Sequence, residues 1–148
     1  MGAKHAILIN GTSAATAIEV EIPAPTGYRV GLISARFGQS NREKDAASEQ
    51  LAVTVTAGVT TSSGGTSVNS LPRNNNAAAI GCKVNTTNLS TSGTAQHVDA
   101  FNNLGGWRED WPIEDERIYT AASGILAVKV EAPSASTTWY ATLVFEVV

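Results

Sequence analysis

The chain has 148 residues, of which ten are Lys or Arg and thirteen are Asp or Glu, so its formal net charge is −3. One cysteine excludes an intramolecular disulfide and a C-x-x-C metal or redox pair. The N-terminal sequence MGAKHAILINGTS lacks the apolar run of a signal peptide, and no stretch is apolar enough to span a membrane. We expect one domain over residues 1–148, made inside a cell, with a flexible arm at Met1–His5.

The first elements in chain order show the two-residue period of β-strands. Asn10-Gly11 separates two apolar runs, which predicts a hairpin. In AIEVEIP, Ala17 to Pro23, apolar residues alternate with Glu19 and Glu21, so we expect a half-buried strand whose glutamates face solvent. The stretch TGYRVGLISARFG, Thr26 to Gly38, is apolar on both faces and predicts a long central strand.

The remaining elements complete an all-β pattern. The segment SNREKDAASEQL, Ser40 to Leu51, is compatible with either a short helix or a charged loop. In QLAVTVTAGV the residues Leu51, Val53 and Val55 mark a buried face, and AAAIGCKV, GILAVKVEA and WYATLVFEVV predict further strands. Roughly eight strands of this size separated by turn clusters favour a single-domain two-sheet sandwich of the jelly-roll type.

Residues with catalytic or metal-binding chemistry are few. His97 and Asp99 would share one face of an extended segment, but a structural zinc site needs about four ligands, so we interpret His97 as solvated or hydrogen-bonded. Cys82 lies in an apolar run and is interpreted as a buried small hydrophobe. No nucleophile elbow, phosphate loop or calcium loop is present in the sequence. We predict no enzyme activity, no catalytic or metal residues and no cofactor.

The segment NNLGGWREDWPIEDER, Asn102 to Arg117, differs from its surroundings. It holds two of the three tryptophans and five of the thirteen acidic residues. Its tryptophans could cap a core that is poor in large residues, or they could anchor an interface, where Trp and Arg are enriched. We expect one Trp inside the subunit and the other at a contact between copies. The candidate interface residues are Trp107, Arg108, Trp111, Glu114, Asp115 and Arg117.

Charge is divided unevenly along the chain. Residues 1–84 carry a balance of +2 and residues 85–148 a balance of −5, and the segment with two tryptophans is acidic. A nucleic-acid surface normally combines basic and aromatic residues, so direct nucleic-acid binding is not expected. Opposite charge in different regions suits copies that meet side by side.

Two long stretches show a familiar order of elements. These are SEQLAVTVTAGVTTSSGGTSVNSLPRNNNAAA and ERIYTAASGILAVKVEAPSASTTWYATLVFEVV. The pattern resembles small all-β virion proteins of tailed bacteriophages, over about two-thirds of the chain. Jelly-roll members of that group act as capsid decoration or cement proteins and are often trimeric.

The resemblance implies a function without a catalytic motif. We expect a non-enzymatic decoration protein on the capsid surface of the virion, a homotrimer whose partner is the major capsid protein. One alternative is the base of a head fibre or a minor tail protein. Another is a carbohydrate-binding β-sandwich, in which Trp107, Trp111 and Trp139 would stack on sugar rings.

Overall fold

The computed structural model describes residues 2–10, 17–39, 50–60, 64–73, 77–86, 90, 92–102, 105–131 and 139–148. Within these ranges a 3-10 turn spans Glu114–Glu116. The strands of the described ranges are β1 (Ala3–Asn10), β2 (Ala17–Pro23), β3 (Val30–Gln39), β4 (Gln50–Val59), β5 (Thr66–Asn69), β6 (Leu71–Pro72), β7 (Gly81–Asn85), β8 (Thr94–Asn102), β9 (Trp107–Asp110), β10 (Ile118–Tyr119), β11 (Ile125–Glu131) and β12 (Trp139–Val147).

The strands form two antiparallel sheets of six that pack face to face. Sheet 1 has the order β6-β1-β12-β3, and both β9 and β10 pair with the far side of β3. Sheet 2 has the order β5-β7-β2-β11-β4-β8. The predicted all-β two-sheet sandwich is therefore confirmed.

The strand pairing identifies the sandwich as a jelly roll. The first four strands pair with later strands in reverse order, because β1 pairs with β12, β2 with β11, β3 with β9 and β10, and β4 with β8. The chain thus resembles one long antiparallel ribbon, wound so that successive strands β1 to β4 alternate between the two sheets. The strands β5, β6 and β7 lie between the two halves of the ribbon in sequence and extend the sheets beyond β1 and β2.

A layer of apolar side chains fills the space between the sheets. The central strands β12 and β11 contribute Trp139, Phe145 and Leu126, each less than 2% exposed. In β4 the predicted buried face of Leu51, Val53 and Val55 is confirmed. The predicted strand from Thr26 becomes β3, which lies between β12 and the pair β9 and β10, but it starts only at Val30. The segment Ser40 to Leu51, expected as either a short helix or a charged loop, falls mostly on residues 40–49, which lie outside the described residues.

The predicted hairpin at Asn10-Gly11 is wrong. The strand before it, β1, belongs to sheet 1, and the strand after it, β2, belongs to sheet 2. Both strands instead pair with the C-terminal part of the chain. The Asn-Gly pair favours a tight turn. The two strands nevertheless lie in opposite sheets, because this arrangement buries their apolar faces against each other.

The flexible arm predicted at Met1–His5 is also wrong for most of its length. Strand β1 already begins at Ala3, which pairs with Val147 of β12. The His5 side chain is buried, stacks on Phe145 at 5.3 Å between ring centroids, and its Nδ1 lies 3.1 Å from Ser70 Oγ. Deleting these residues would therefore remove part of the fold.

The glutamates of β2 are buried, whereas the alternation predicted that they face solvent. Glu19 and Glu21 are each 1% exposed. The carboxylate of Glu19 accepts hydrogen bonds from Ser90 N at 2.9 Å and from Ser90 Oγ at 2.7 Å. Ser90 thus lies against the Glu19 carboxylate, and this buried carboxylate is tolerated because it is hydrogen-bonded.

Candidate functional site

The tryptophan-rich segment crosses from one sheet to the other at an open edge of the sandwich. Strand β8 is the last strand of sheet 2, and β9 pairs with the outer side of β3 in sheet 1. Gly106 lies between them with a φ of +69°, a value that favours glycine.

Side chains of β9 alternate between the inside and the outside of the sandwich. Trp107 pairs in register with Phe37, and its ring packs on Phe37 in the core at 6.2 Å. Glu109 lies on the same inner side as Trp107. Arg108 and Asp110 lie on the outer side and form a mostly exposed ion pair of 2.6 Å. The alternation thus separates one predicted interface residue, Arg108, from its neighbour Trp107.

Trp111 is fixed by a bulge in β3. The register between β3 and β12 shifts beside Ile33, and the Ile33 carbonyl accepts a hydrogen bond of 2.6 Å from Trp111 N. Trp107 and Trp111 are 6% and 8% exposed, and both belong to the hydrophobic core. The expectation that one of the two is kept for a contact between copies is wrong, since both indoles are buried within a single chain.

Three side chains with metal-ligating atoms meet beside these tryptophans, and we call His97, Asp99 and Glu109 the edge cluster. One ligand atom from each residue lies within 4.8 Å of those of the other two. His97 and Asp99 come from β8 in sheet 2, and Glu109 comes from β9 in sheet 1. The cluster therefore joins the two layers, with two carboxylates and an imidazole that suit a divalent cation.

Hydrogen bonds orient part of the edge cluster. Asp99 Oδ2 accepts a bond of 2.8 Å from Trp107 Nε1, and Asp99 Oδ1 accepts one of 2.7 Å from Ala100 N. These bonds, that from Trp107 first, lower the pKa of Asp99. The His97 ring contacts Trp111 edge-on at 5.4 Å, and its Nε2 is buried without a hydrogen-bond partner. A hydrogen-bonded or solvated His97 was predicted, and this nitrogen is neither.

Arg117 is an internal support of the segment. Its guanidinium forms a mostly buried ion pair with Glu146 of β12 and donates to the carbonyls of Trp111 at 3.3 Å and Pro112 at 2.9 Å. Tyr119 Oη donates to the same carboxylate at 2.6 Å. Burial alone would raise the pKa of Glu146, but the bonds from Tyr119 and Arg117 hold it below its usual value.

The acidic turn Glu114–Glu116 is exposed, as a solvated run of acids would be. Glu114 also borders a depression of about 320 Å³ with Lys4 and the Arg117–Glu146 pair. Of the six predicted interface residues, Arg108, Glu114 and Asp115 are exposed, and the other three are buried or half-buried. They lie at different places around the segment, on β9 and on the 3-10 turn.

The outer face of sheet 1 carries exposed apolar side chains that no motif in the sequence indicated. Leu8 of β1, Leu71 of β6 and Tyr140 of β12 are 50%, 52% and 45% exposed. Strand register places all three on this face, since Leu8 is opposite Thr142 and Leu71 is opposite Ala6. Arg108 lies on the same face at the β9 end. Exposed apolar side chains grouped on one face are typical of protein-contact surfaces.

A separate cavity of about 580 Å³ opens near the start of β7. Its walls are almost entirely apolar and include Pro23, Tyr28, Ile80 and Val147. His5 is its titratable wall residue besides Tyr28, and burial lowers the pKa of His5. The His5 ring is held by Ser70 and Phe145, so this cavity presents little chemistry.

The fold and the site together define a jelly roll with a filled core and two surface features, the edge cluster and the outer face of sheet 1. No family model matches the chain, and no curated protein matches it. Among solved structures the chain is similar to the crystal structure of the infectious bursal disease virus VP2 subviral particle, with 13% identity and a TM-score of 0.13. The alignment covers 98% of this chain and 39% of that chain, and a TM-score this low does not indicate a shared fold.

Among the described residues there is no helix with the length and hydropathy needed to cross a membrane.

Proposed function

We propose that this chain is a non-enzymatic structural protein of a tailed-phage virion, which decorates the outer surface of the head as a homotrimer and stabilises it. The observation that carries the proposal is the outer face of sheet 1, a rigid β-surface with exposed Leu8, Leu71 and Tyr140. A cement protein needs such a rigid contact surface and no reaction chemistry.

The fold and the resemblance in strand order support the same proposal. Jelly rolls occur in viral capsid and lectin domains, among others, so a functional assignment must come from the surface. The lectin alternative required Trp107, Trp111 and Trp139 to stack on sugars. All three are buried, at 6%, 8% and 0% exposure, which weighs against that use of the tryptophans.

Assembly as a trimer would strengthen a weak contact. Three copies that dock together make linked contacts, and such linkage raises the overall affinity by about 10²-fold or more when the geometry allows all contacts at once. Light scattering after size exclusion should therefore give a mass three times that of the 15.4 kDa chain. A monomer at micromolar concentration would contradict the trimer.

The decisive experiment mixes the purified protein with undecorated heads and measures occupancy and the temperature at which the heads break. Saturable binding and a raised disruption temperature are expected. Leu8→Glu places a charge on the outer face of sheet 1 and should reduce binding, whereas Val98→Glu, on the outer face of sheet 2, should not. Equal binding by both variants would refute this docking face.

Binding confined to tail structures, or to glycans and never to heads, would refute the decoration role itself. The first result would favour a minor tail protein or a fibre base, and the second a carbohydrate-binding sandwich. In that case Tyr28 and Tyr140, which are exposed, would be the aromatic side chains to test for sugar stacking.

A further inference from the structure

We propose that the edge cluster of His97, Asp99 and Glu109 binds a divalent transition-metal ion, Zn²⁺ or Mn²⁺, which fastens β8 of sheet 2 to β9 of sheet 1. The inference does not depend on the proposed function, because it concerns a site inside the subunit and not its docking face. It replaces the expectation from the sequence that His97 is simply solvated or hydrogen-bonded.

The spacing of the donor atoms is close to what a metal requires. The three atoms lie within 4.8 Å of one another. Two ligand atoms at metal–ligand distances near ~2.1 Å in a tetrahedral or octahedral arrangement are about 3.0–3.5 Å apart. Small changes in the side-chain torsions, which move each donor atom by roughly an ångström, bring the donors to that spacing. The backbone already carries them on two strands whose register is set by pairing with β4 and β3.

The second observation is the unpartnered nitrogen of His97. Buried polar side-chain atoms are nearly always hydrogen-bonded, and an unsatisfied one destabilises the fold. Nε2 of His97 is buried without a partner, while the ring is held between Trp107 and Trp111. A histidine positioned by two indoles next to two carboxylates has the surroundings expected of a metal ligand.

The surroundings of Asp99 supply the outer hydrogen bonds that metal ligands commonly have. Each oxygen of Asp99 accepts one N–H, from Trp107 and from Ala100, and each retains a lone pair for a cation. Such bonds orient a ligating carboxylate, and their loss in known metal sites typically lowers metal affinity ~10–100-fold. Trp107 therefore acts as a positioning residue for the proposed site.

The donor set selects the type of metal. An imidazole favours Zn²⁺ and other transition metals, whereas Ca²⁺ and Mg²⁺ are usually held by oxygen ligands alone. The two carboxylates balance the charge of a divalent ion. Three ligands from the chain leave at least one position for water. The other histidine and the cysteine do not compete, because His5 and Cys82 are buried in the core.

A metal at this place would link two edge strands that belong to different sheets. Within the described residues β8 pairs with β4 alone, and β9 has four residues paired with β3. A ligand that binds only the folded state stabilises it in proportion to the logarithm of its concentration. At about 100 times the dissociation constant, the melting temperature of a domain of this size should rise by roughly 5–10 °C.

The test uses the full chain without a histidine tag, stripped with chelator and titrated with ZnCl₂ or MnCl₂. Calorimetry should give one site per chain, tryptophan fluorescence should change because Trp107 and Trp111 border the site, and Co²⁺ should give the visible absorption of a ligated ion. Glu109→Gln keeps the side-chain shape but removes a charged ligand, so affinity should fall at least tenfold. Glu114→Gln removes an exposed carboxylate outside the cluster and should leave affinity unchanged.

Asp99→Asn is a second variant that should also lose at least tenfold in affinity, in case Glu109→Gln disturbs folding. Equal affinities for the wild type and both cluster variants would overturn the proposal, since the metal would then bind elsewhere. Lack of binding at 1 mM metal would overturn it as well. Equal response to CaCl₂ and ZnCl₂ would refute the role of His97 as a ligand.

Discussion

Replacing Arg117 by Ala should destabilise the fold strongly, because the substitution leaves a buried carboxylate without its cation. The side chains of Arg117 and Glu146 are only 12% and 4% exposed, so solvent screens their interaction weakly. Removing one partner of such a pair typically costs about 3–5 kcal/mol in the free energy of unfolding. Arg117→Ala also removes two hydrogen bonds that hold the Trp111–Pro112 backbone. For a domain of this size the melting temperature should fall by roughly 6–20 °C.

Urea denaturation followed by circular dichroism measures the effect, and Arg108→Ala is the matched control. Arg108 forms its ion pair with Asp110 at the surface, where the side chains are 58% and 38% exposed, and such pairs contribute about 0–1 kcal/mol. Replacing both buried partners, Arg117→Met with Glu146→Leu, should recover much of the loss. If Arg117→Ala lowers the free energy of unfolding no more than Arg108→Ala does, the buried ion pair does not stabilise the fold as proposed.

Three further predictions concern the fold. Trp111→Ala should lower the free energy of unfolding of the single chain by ~3–5 kcal/mol, measured in urea, and an effect on oligomer mass alone would contradict its burial. Acid should destabilise the protein in two steps. Burial lowers the pKa of His5, so the unfolded state binds more protons below pH 6.5 and stability falls there, while the lowered pKa of Glu146 adds a loss below pH 4.5. His5→Gln should remove the first step from the pH dependence of urea midpoints. Burial raises the pKa of Cys82 to about 12, so a thiol reagent at pH 8 should react only after unfolding, and rapid reaction of the native protein would show that Cys82 is accessible.

Part of the candidate site could be predicted from the sequence. The period of two in β8 and β9 places His97 with Asp99, and Trp107 with Glu109, on one side of their strands. What the sequence did not contain is that these two sides face each other across the sandwich edge. Glu109 and Asp110 are adjacent in the sequence, yet Glu109 lies on the inner side of β9 and Asp110 on the outer side.

The lack of information on tertiary contacts also explains the wrong predictions for the glutamates of β2 and for the two tryptophans. The glutamates of β2 alternate with apolar residues in the manner of a half-exposed strand, yet both are buried, and Glu19 accepts a hydrogen bond from the distant Ser90. We predicted that one of Trp107 and Trp111 lies in the core and the other at an interface, which depends on how the two sheets pack. The backbone of Trp111 is hydrogen-bonded to Ile33 at the bulge of β3, and this contact places its side chain in the core.

The class of fold could be predicted without the structure, because strand periodicity and turn residues are local properties that any packing must respect. The alternation of Leu51, Val53 and Val55 with Ala and Thr also indicated the core face of β4. The tertiary structure alone decided which strands pair, since β1 and β12 lie at opposite ends of the chain and meet only because the ribbon is wound. It likewise decided that Arg117 supports the fold, that Leu8 and Tyr140 share an exposed face, and that His97 meets Glu109. Each of these depends on contacts between distant residues, and side-chain chemistry along the chain does not specify them until the two sheets have packed.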